Sequence, residues 1–155
     1  MDTYTVHEVT DLDKSVEDIL ARHHALMHAT SPEESCHVMT GEELRASGAR
    51  LFSITDQTGK VLGIGAIKPL TGHRIELKSM HTLPEARGMG LATILLERLL
   101  AEARLMGAKL VLLETGSSQE FAPARRLYER AGFTDCPPFE GYVDDPLSRF
   151  FQKPL

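Results

Sequence analysis

Two glycines and an arginine stand directly before the longest apolar helical stripe in the chain, in the run Arg87-Gly88-Met89-Gly90-Leu91-Ala92. Small residues let a backbone approach a ligand closely, and unpaired N–H groups at a helix start, aligned with its dipole, attract phosphate or pyrophosphate. Arg87 adds a charged donor. A tight turn is the plainer role for Gly88 and Gly90, and it is their position at a helix start that favours the anion site. Two carboxylates accompany the run. Glu76 lies on the polar face of the strand leading into it, where it can accept a proton from an amine, directly or through water, or pair with a lysine across strands. Glu114 ends the next strand, where ligand-facing residues collect in βαβ sheets; it can bind a cation, compete as the base, or cap nearby amides.

Other chemistries fit less well. A dinucleotide fold shares the outline of strand, Gly-x-Gly, helix and later acid, but its first glycine sits in the turn directly after the strand and its third glycine position is Thr93 here. A Walker loop would end in Gly-Lys-Ser/Thr, which is absent. His24 and His28 are four apart on the first helix, with His23 beside them and His37 beyond, yet no H-E-x-x-H and no third ligand accompany them, so no metal is expected. Cys36 and Cys136 are a hundred residues apart without a C-x-x-C, and both read as reduced thiols.

The elements that must position these groups follow from periodicity. Residues 3–9 alternate weakly, as a first strand. Val16, Ile19, Leu20, His23, Leu26 and Met27 form one helical stripe. Ser31-Pro32-Glu33-Glu34 has the cap, proline and acids of a second short helix, and residues 41–48 carry another turn. Residues 50–55 and 60–68 form a hairpin around Asp56-Gln57-Thr58-Gly59. Residues 74–82 alternate Ile75, Leu77, Ser79 and His81 against Glu76, Lys78 and Met80, which marks His81 as buried. Ala92, Leu95, Leu96, Leu99, Leu100, Ala103 and Met106 make a long helix closed by Gly107. The apolar run 109–114 reads as a central strand covered by helices on both faces. Ser117 or Ser118 caps a last helix through Ala124, Leu127 and Tyr128 to Ala131, and 133–134 and 148–152 add two short strands. Arg125, Arg126 and Arg130 read as a solvated helix face, from which one could reach a phosphate.

At 155 residues, 42% hydrophobic and 25% charged, the chain is an ordinary globular one, with no linker or repeat to divide it, so a single domain over 1–155 is expected. A net charge of −5 without a dense basic run argues against nucleic acid. No apolar stretch approaches the length of a membrane span and no signal segment opens the chain, which points to a cytoplasmic protein.

The motifs in combination resemble the GCN5-related N-acetyltransferases. Arg87, Gly90 and Ala92 match the family's acetyl-CoA signature Arg/Gln-x-x-Gly-x-Gly/Ala, and Ala124-x-x-Leu127-Tyr128-Glu129-x-x-Gly132-Phe133 matches its A-x-x-L-Y-E-x-x-G-F about forty residues on. The resemblance implies an α/β (α+β) fold: a mixed, strongly twisted sheet of six or seven strands flanked by about four helices. The strands ending near Thr82 and Glu114 would splay apart. Acetyl-CoA would lie in that gap, its pantetheine against Met80, His81 and Thr82 and its pyrophosphate on the amides of Arg87, Gly88, Met89, Gly90, Leu91 and Ala92. Tyr128 corresponds to the tyrosine that faces the CoA sulfur and protonates the departing thiolate, and Glu76 to the strand position that supplies a catalytic base in several members. Glu114 would touch the substrate. Many members have an asparagine where this chain has Phe121, so Ser117, Ser118 or solvent would make that contact. The implied activity is direct transfer of an acetyl group to an amine, small or peptidic, in a ternary complex. No metal, nucleic acid or membrane takes part, and a homodimer stays open. A CoA-binding sensor that has lost turnover is the alternative.

Overall fold

Asp13 starts the first helix by accepting the Val16 amide on its carboxylate at 3.0 Å. The computed structural model describes residues 3–30 and 40–155, and of 28–30 the backbone alone. The helix expected at Ser31-Pro32-Glu33-Glu34 therefore lies outside the described residues, with Cys36, His37 and the side chain of His28. β1 (Thr5–Glu8) and α1 (Lys14–Thr30) come first, and Val16, Ile19, Leu20 and Met27 bury the face of α1 that the stripe marked. Thr40 opens α2 (Gly41–Ala46) with a reciprocal cap: its hydroxyl takes the Glu43 amide while the Glu43 carboxylate takes its own.

β2 (Arg50–Thr55) and β3 (Val61–Leu70) form the expected hairpin. The Asp56 carboxylate makes that turn, gathering the amides of Thr58 and Lys60 at 2.8 and 3.1 Å, while Gly59 takes φ +87°. β4 (Arg74–Thr82) follows, then a single 3₁₀ turn at Pro84–Ala86 and α3 (Leu91–Leu105). β5 (Leu110–Gly116), a second 3₁₀ turn, α4 (Ala122–Arg130), β6 (Thr134–Asp135) and β7 (Ser148–Pro154) complete the described chain.

The seven strands form one mixed sheet in the order β1-β2-β3-β4-β5-β7-β6, antiparallel at every junction except β4 with β5. Among the described residues four α-helices accompany it, so the expected fold class is what the chain adopts. The last strand slots between β5 and β6. The main core joins α1, α2 and α3 to the sheet through side chains such as Phe52, Ile54, Ile64, Leu95, Leu99 and Val111, all at 0% exposure. Each such burial contributes about 1.5–3 kcal/mol. The expectation that helices cover both faces of β5 needs correction: Val111 and Leu113 face the main core, but Leu112 joins a separate cluster with Phe139 and Phe150. Aromatic rings from β7 and from the segment before it supply that cover.

Two irregularities shape the sheet where chemistry was expected. The parallel pairing of β4 with β5 covers only residues 74–77 against 110–113, although β4 runs on to Thr82 and β5 to Gly116. Past that point the strands part. Within β4, Ser79 takes φ +56° and the register with β3 shifts between Ile64 and Ala66, which marks a bulge. A side chain on Gly65 opposite has no room, because its Cβ would lie 2.6 Å from the Met80 sulfur and 2.8 Å from Leu99. The bulge turns His81 toward α1.

Candidate active site

The parting of β4 and β5 opens a cleft lined on the β4 side by Glu76, Lys78 and Met80, on the β5 side by Glu114, and by Tyr128 of α4. Four of the residues singled out in the sequence, Glu76, Met80, Glu114 and Tyr128, thus share one cavity wall. Tyr128 is buried at 5% exposure because it lies on the inward stripe of α4, edge-on to Phe133 with ring centroids 5.7 Å apart. Burial holds its phenol well above the ordinary tyrosine value, and its hydroxyl has no hydrogen-bond partner among the described residues. The group stays protonated at neutral pH and keeps its donor for the cleft.

Glu76 is 3% exposed, and both bonds it accepts fall on one oxygen. Its Oε2 takes the Tyr142 hydroxyl at 2.6 Å and the Lys78 ammonium at 3.1 Å, whereas Oε1 has no partner among the described residues. The lysine that pairs with it comes from its own strand face, two residues on, rather than from across the sheet. Burial, and then the Glu76 charge it faces, push the Tyr142 phenol far above its usual range. Glu114, half-buried, accepts the Ser148 hydroxyl at 2.7 Å.

His81 is buried, as its strand position suggested, but its neighbour was not foreseen. Its Nδ1 lies 3.2 Å from Nδ1 of His23 on α1, with the rings edge-to-face. One nitrogen must donate and the other accept, so the two rings cannot both carry a proton at Nδ1. Desolvation, then the His81 and His24 rings, hold His23 down to about 3, and desolvation with Arg87 and Arg22 nearby holds His81 down to about 4.

Beyond Thr82 the chain enters the glycine run. Gly88 and Gly90 have φ of +84° and +76°, and a Cβ on either would meet nothing within 4 Å. Glycine is needed there for the backbone angle, and the space around it is open. Gly90 caps α3 without a side-chain bond, and the first helical bond runs from the Ile94 amide to the Gly90 carbonyl at 3.2 Å. The amides of residues 88–93 have no acceptor among the described residues. They form a cradle of donors at the positive end of a helix, with the exposed Arg87 at its rim and Ala92 small enough to leave it open.

The serines differ from each other. Ser117 is drawn to the segment before β7, its amide to the Leu147 carbonyl at 3.0 Å and its hydroxyl to that of Pro146 at 2.6 Å, whereas the buried Ser118 hydroxyl faces the Glu120 carboxylate and helps hold it below the ordinary range. Arg125 is bound rather than solvated, donating to the carbonyls of Gly116 and Ser118 at 2.7 and 2.9 Å. Sequence reasoning gave Lys78 no role and did not single out Tyr142. Lys78 was legible as a neighbour of Glu76 at spacing two; Tyr142 comes from an irregular stretch whose path no periodicity announces.

A family model described as Acetyltransferase (GNAT) family matches residues 15–133, the stretch that holds the cradle and the cleft apart from Tyr142. The chain belongs to the GNAT acetyltransferase family. The uncharacterised N-acetyltransferase YsnE of Bacillus subtilis is 37% identical over 92% of this chain and 93% of its own. The IAA acetyltransferase of Azospirillum brasilense is 36% identical over 100% of both chains. Among solved structures, a Klebsiella pneumoniae protein with the provisional name acyl-CoA N-acyltransferase superposes with a TM-score of 0.81 at 29% identity, covering 98% of this chain and 97% of that one. The GNAT acetyltransferases use acetyl-CoA, and this member keeps their mixed sheet with its split between β4 and β5.

Proposed function

We propose that this GNAT protein transfers the acetyl group of acetyl-CoA directly to an amine bound in the same cleft. The observation that carries the reading is Tyr128: a buried phenol, held protonated, whose hydroxyl is unspent and shares a cavity with the open oxygen of Glu76. The residues present suit the co-substrate. The amide cradle of residues 88–93, with Arg87, would hold the pyrophosphate, and the β4 edge at Met80, His81 and Thr82, which finds no β5 partner, would pair with the amide-bearing arm. Ser118, whose hydroxyl is not spent on the segment before β7 as that of Ser117 is, is better suited to stand in for the polar group absent at Phe121.

Acetyl-CoA supplies a thioester with an electrophilic carbonyl carbon and a sulfur leaving group. Glu76 would take the proton of the incoming amine, and Tyr128 would give one to the sulfur. Glu114 would favour a cationic acceptor at the mouth of the cleft. Cys136 is a poor candidate for a covalent relay, since burial and the neighbouring Asp135 charge push its thiol above the usual value and away from the reactive thiolate. The acceptor class stays at the level of an amine, and the relative named for IAA adds that compound to the panel worth screening. The test is release of free CoA thiol from acetyl-CoA across a panel of amines. Wild-type protein is expected to release thiol with at least one amine, and Tyr128→Phe to bind acetyl-CoA equally well while turning over on the order of 100-fold more slowly. Tight binding without thiol release for any amine would replace this reading with a CoA sensor.

A further inference from the structure

The segment between β6 and β7 brings Tyr142 to the wall of the cleft and is fastened at several points. Phe139 packs edge-on against both Tyr142 and Phe150, at centroid distances of 5.1 and 6.0 Å, and the Tyr142 amide donates to the Phe139 carbonyl at 2.9 Å. Glu140 is paired with Arg74 of β4, and Ser117 holds Pro146. Such anchoring fixes where the Tyr142 hydroxyl stands. Its fixed position decides how Glu76 is turned, because Tyr142 and Lys78 both donate to Oε2 and neither to Oε1.

We propose that Tyr142, assisted by Lys78, is a positioning residue that locks the Glu76 carboxylate with one oxygen tied down and the other presented to the acceptor amine. The inference rests on the acyl-transfer reading above. Oε1 takes the proton that the acceptor nitrogen sheds as its bond to the acyl carbon forms and the carbon–sulfur bond breaks, and Tyr128 protonates the sulfur. A carboxylate free to rotate would present an oxygen in the productive direction for only part of the time. A lysine alone, on a flexible stem, fixes direction poorly; a phenol on a rigid ring fixes it well. Glu114 also faces Tyr142, so the phenol lies between two carboxylates, and its hydroxyl donates to Glu76 at 2.6 Å.

Tyr142→Phe keeps the ring packed against Phe139 and Phe150 and removes only the hydroxyl. It is expected to lower kcat roughly tenfold or more, the effect of losing a bond to a charged group, with KM for acetyl-CoA changed less than about twofold. In a Glu76→Gln background the same change is expected to cost nothing further, because the two groups act as one unit. A second readout needs no turnover. The chain has 3 tyrosines, so ¹³Cζ-tyrosine labelling gives three resonances, and the one lost in Tyr142→Phe should move in Glu76→Gln. The inference is overturned by a wild-type kcat in Tyr142→Phe, by losses that multiply in the double variant, or by a Tyr142 resonance indifferent to Glu76→Gln. Wild-type protein that releases no thiol with any amine sinks the acyl-transfer reading and this inference with it, whereas the other three outcomes sink the positioning role alone.

Discussion

His23 and His81 share one hydrogen bond inside the fold, and neither gains a proton until the pH nears about 3 and 4 respectively. In the unfolded chain both would titrate at their ordinary value of 6.5. Between about pH 6.5 and 4 the unfolded state therefore binds more protons than the folded one, and stability falls as the pH falls through that window. Above 6.5 the pair contributes fully. Thermal unfolding at pH 7.5 and pH 5.0 should show a Tm loss of roughly 2–8 °C attributable to the pair. A His23→Gln/His81→Gln variant, which has no imidazole to protonate, should show a visibly smaller difference between the two pH values; an equal difference removes the pair from the account.

At the level of elements, the turn between β5 and α4 sets where Tyr128 stands. Gly116 ends β5 under the ring of Phe121, so close that a Cβ would lie 2.0 Å from the ring, and Arg125 clamps the carbonyls on either side of Ser117. Gly116→Ala should destabilise the protein by about 1–3 kcal/mol in denaturant titration, and adding Phe121→Ala should recover part of that loss. Additive losses would show that the contact does not govern the turn. This contact also marks the limit of what residue spacing can tell. The α3 stripe, the Asp56–Gly59 hairpin and the glycine run were legible because each depends on residues adjacent in sequence. The bulge at Ser79 was not, since a serine at positive φ carries no local signal, and the contact of His81 with His23 was hidden with it. Tyr142 escaped for a related reason. Its partner, Glu76, lies 66 residues away, and only the tertiary fold brings them together.

For the molecule as a whole, a net charge of −5 opposes a polyanionic ligand, so binding must rest on the local field of the α3 start rather than on the overall charge. Acetyl-CoA at about 100 times its Kd should stabilise the fold by about 2.7 kcal/mol, which in a chain of this size raises Tm by roughly 5–11 °C. NADH at the same concentration should leave Tm unmoved. A shift with NADH and none with acetyl-CoA would return the glycine run to the dinucleotide class. No helix among the described residues is long and apolar enough to cross a membrane.

The ladder between β4 and β5 stops at Leu77 and Leu113, which are 4% and 1% exposed, and each has a cleft carboxylate as its immediate chain neighbour. These leucines sit at the root of a notch, like the pin of a pair of shears. The angle between the blades sets how far Met80 stands from Glu114, so the fit of two greasy side chains at the root governs the width of the gap beyond them.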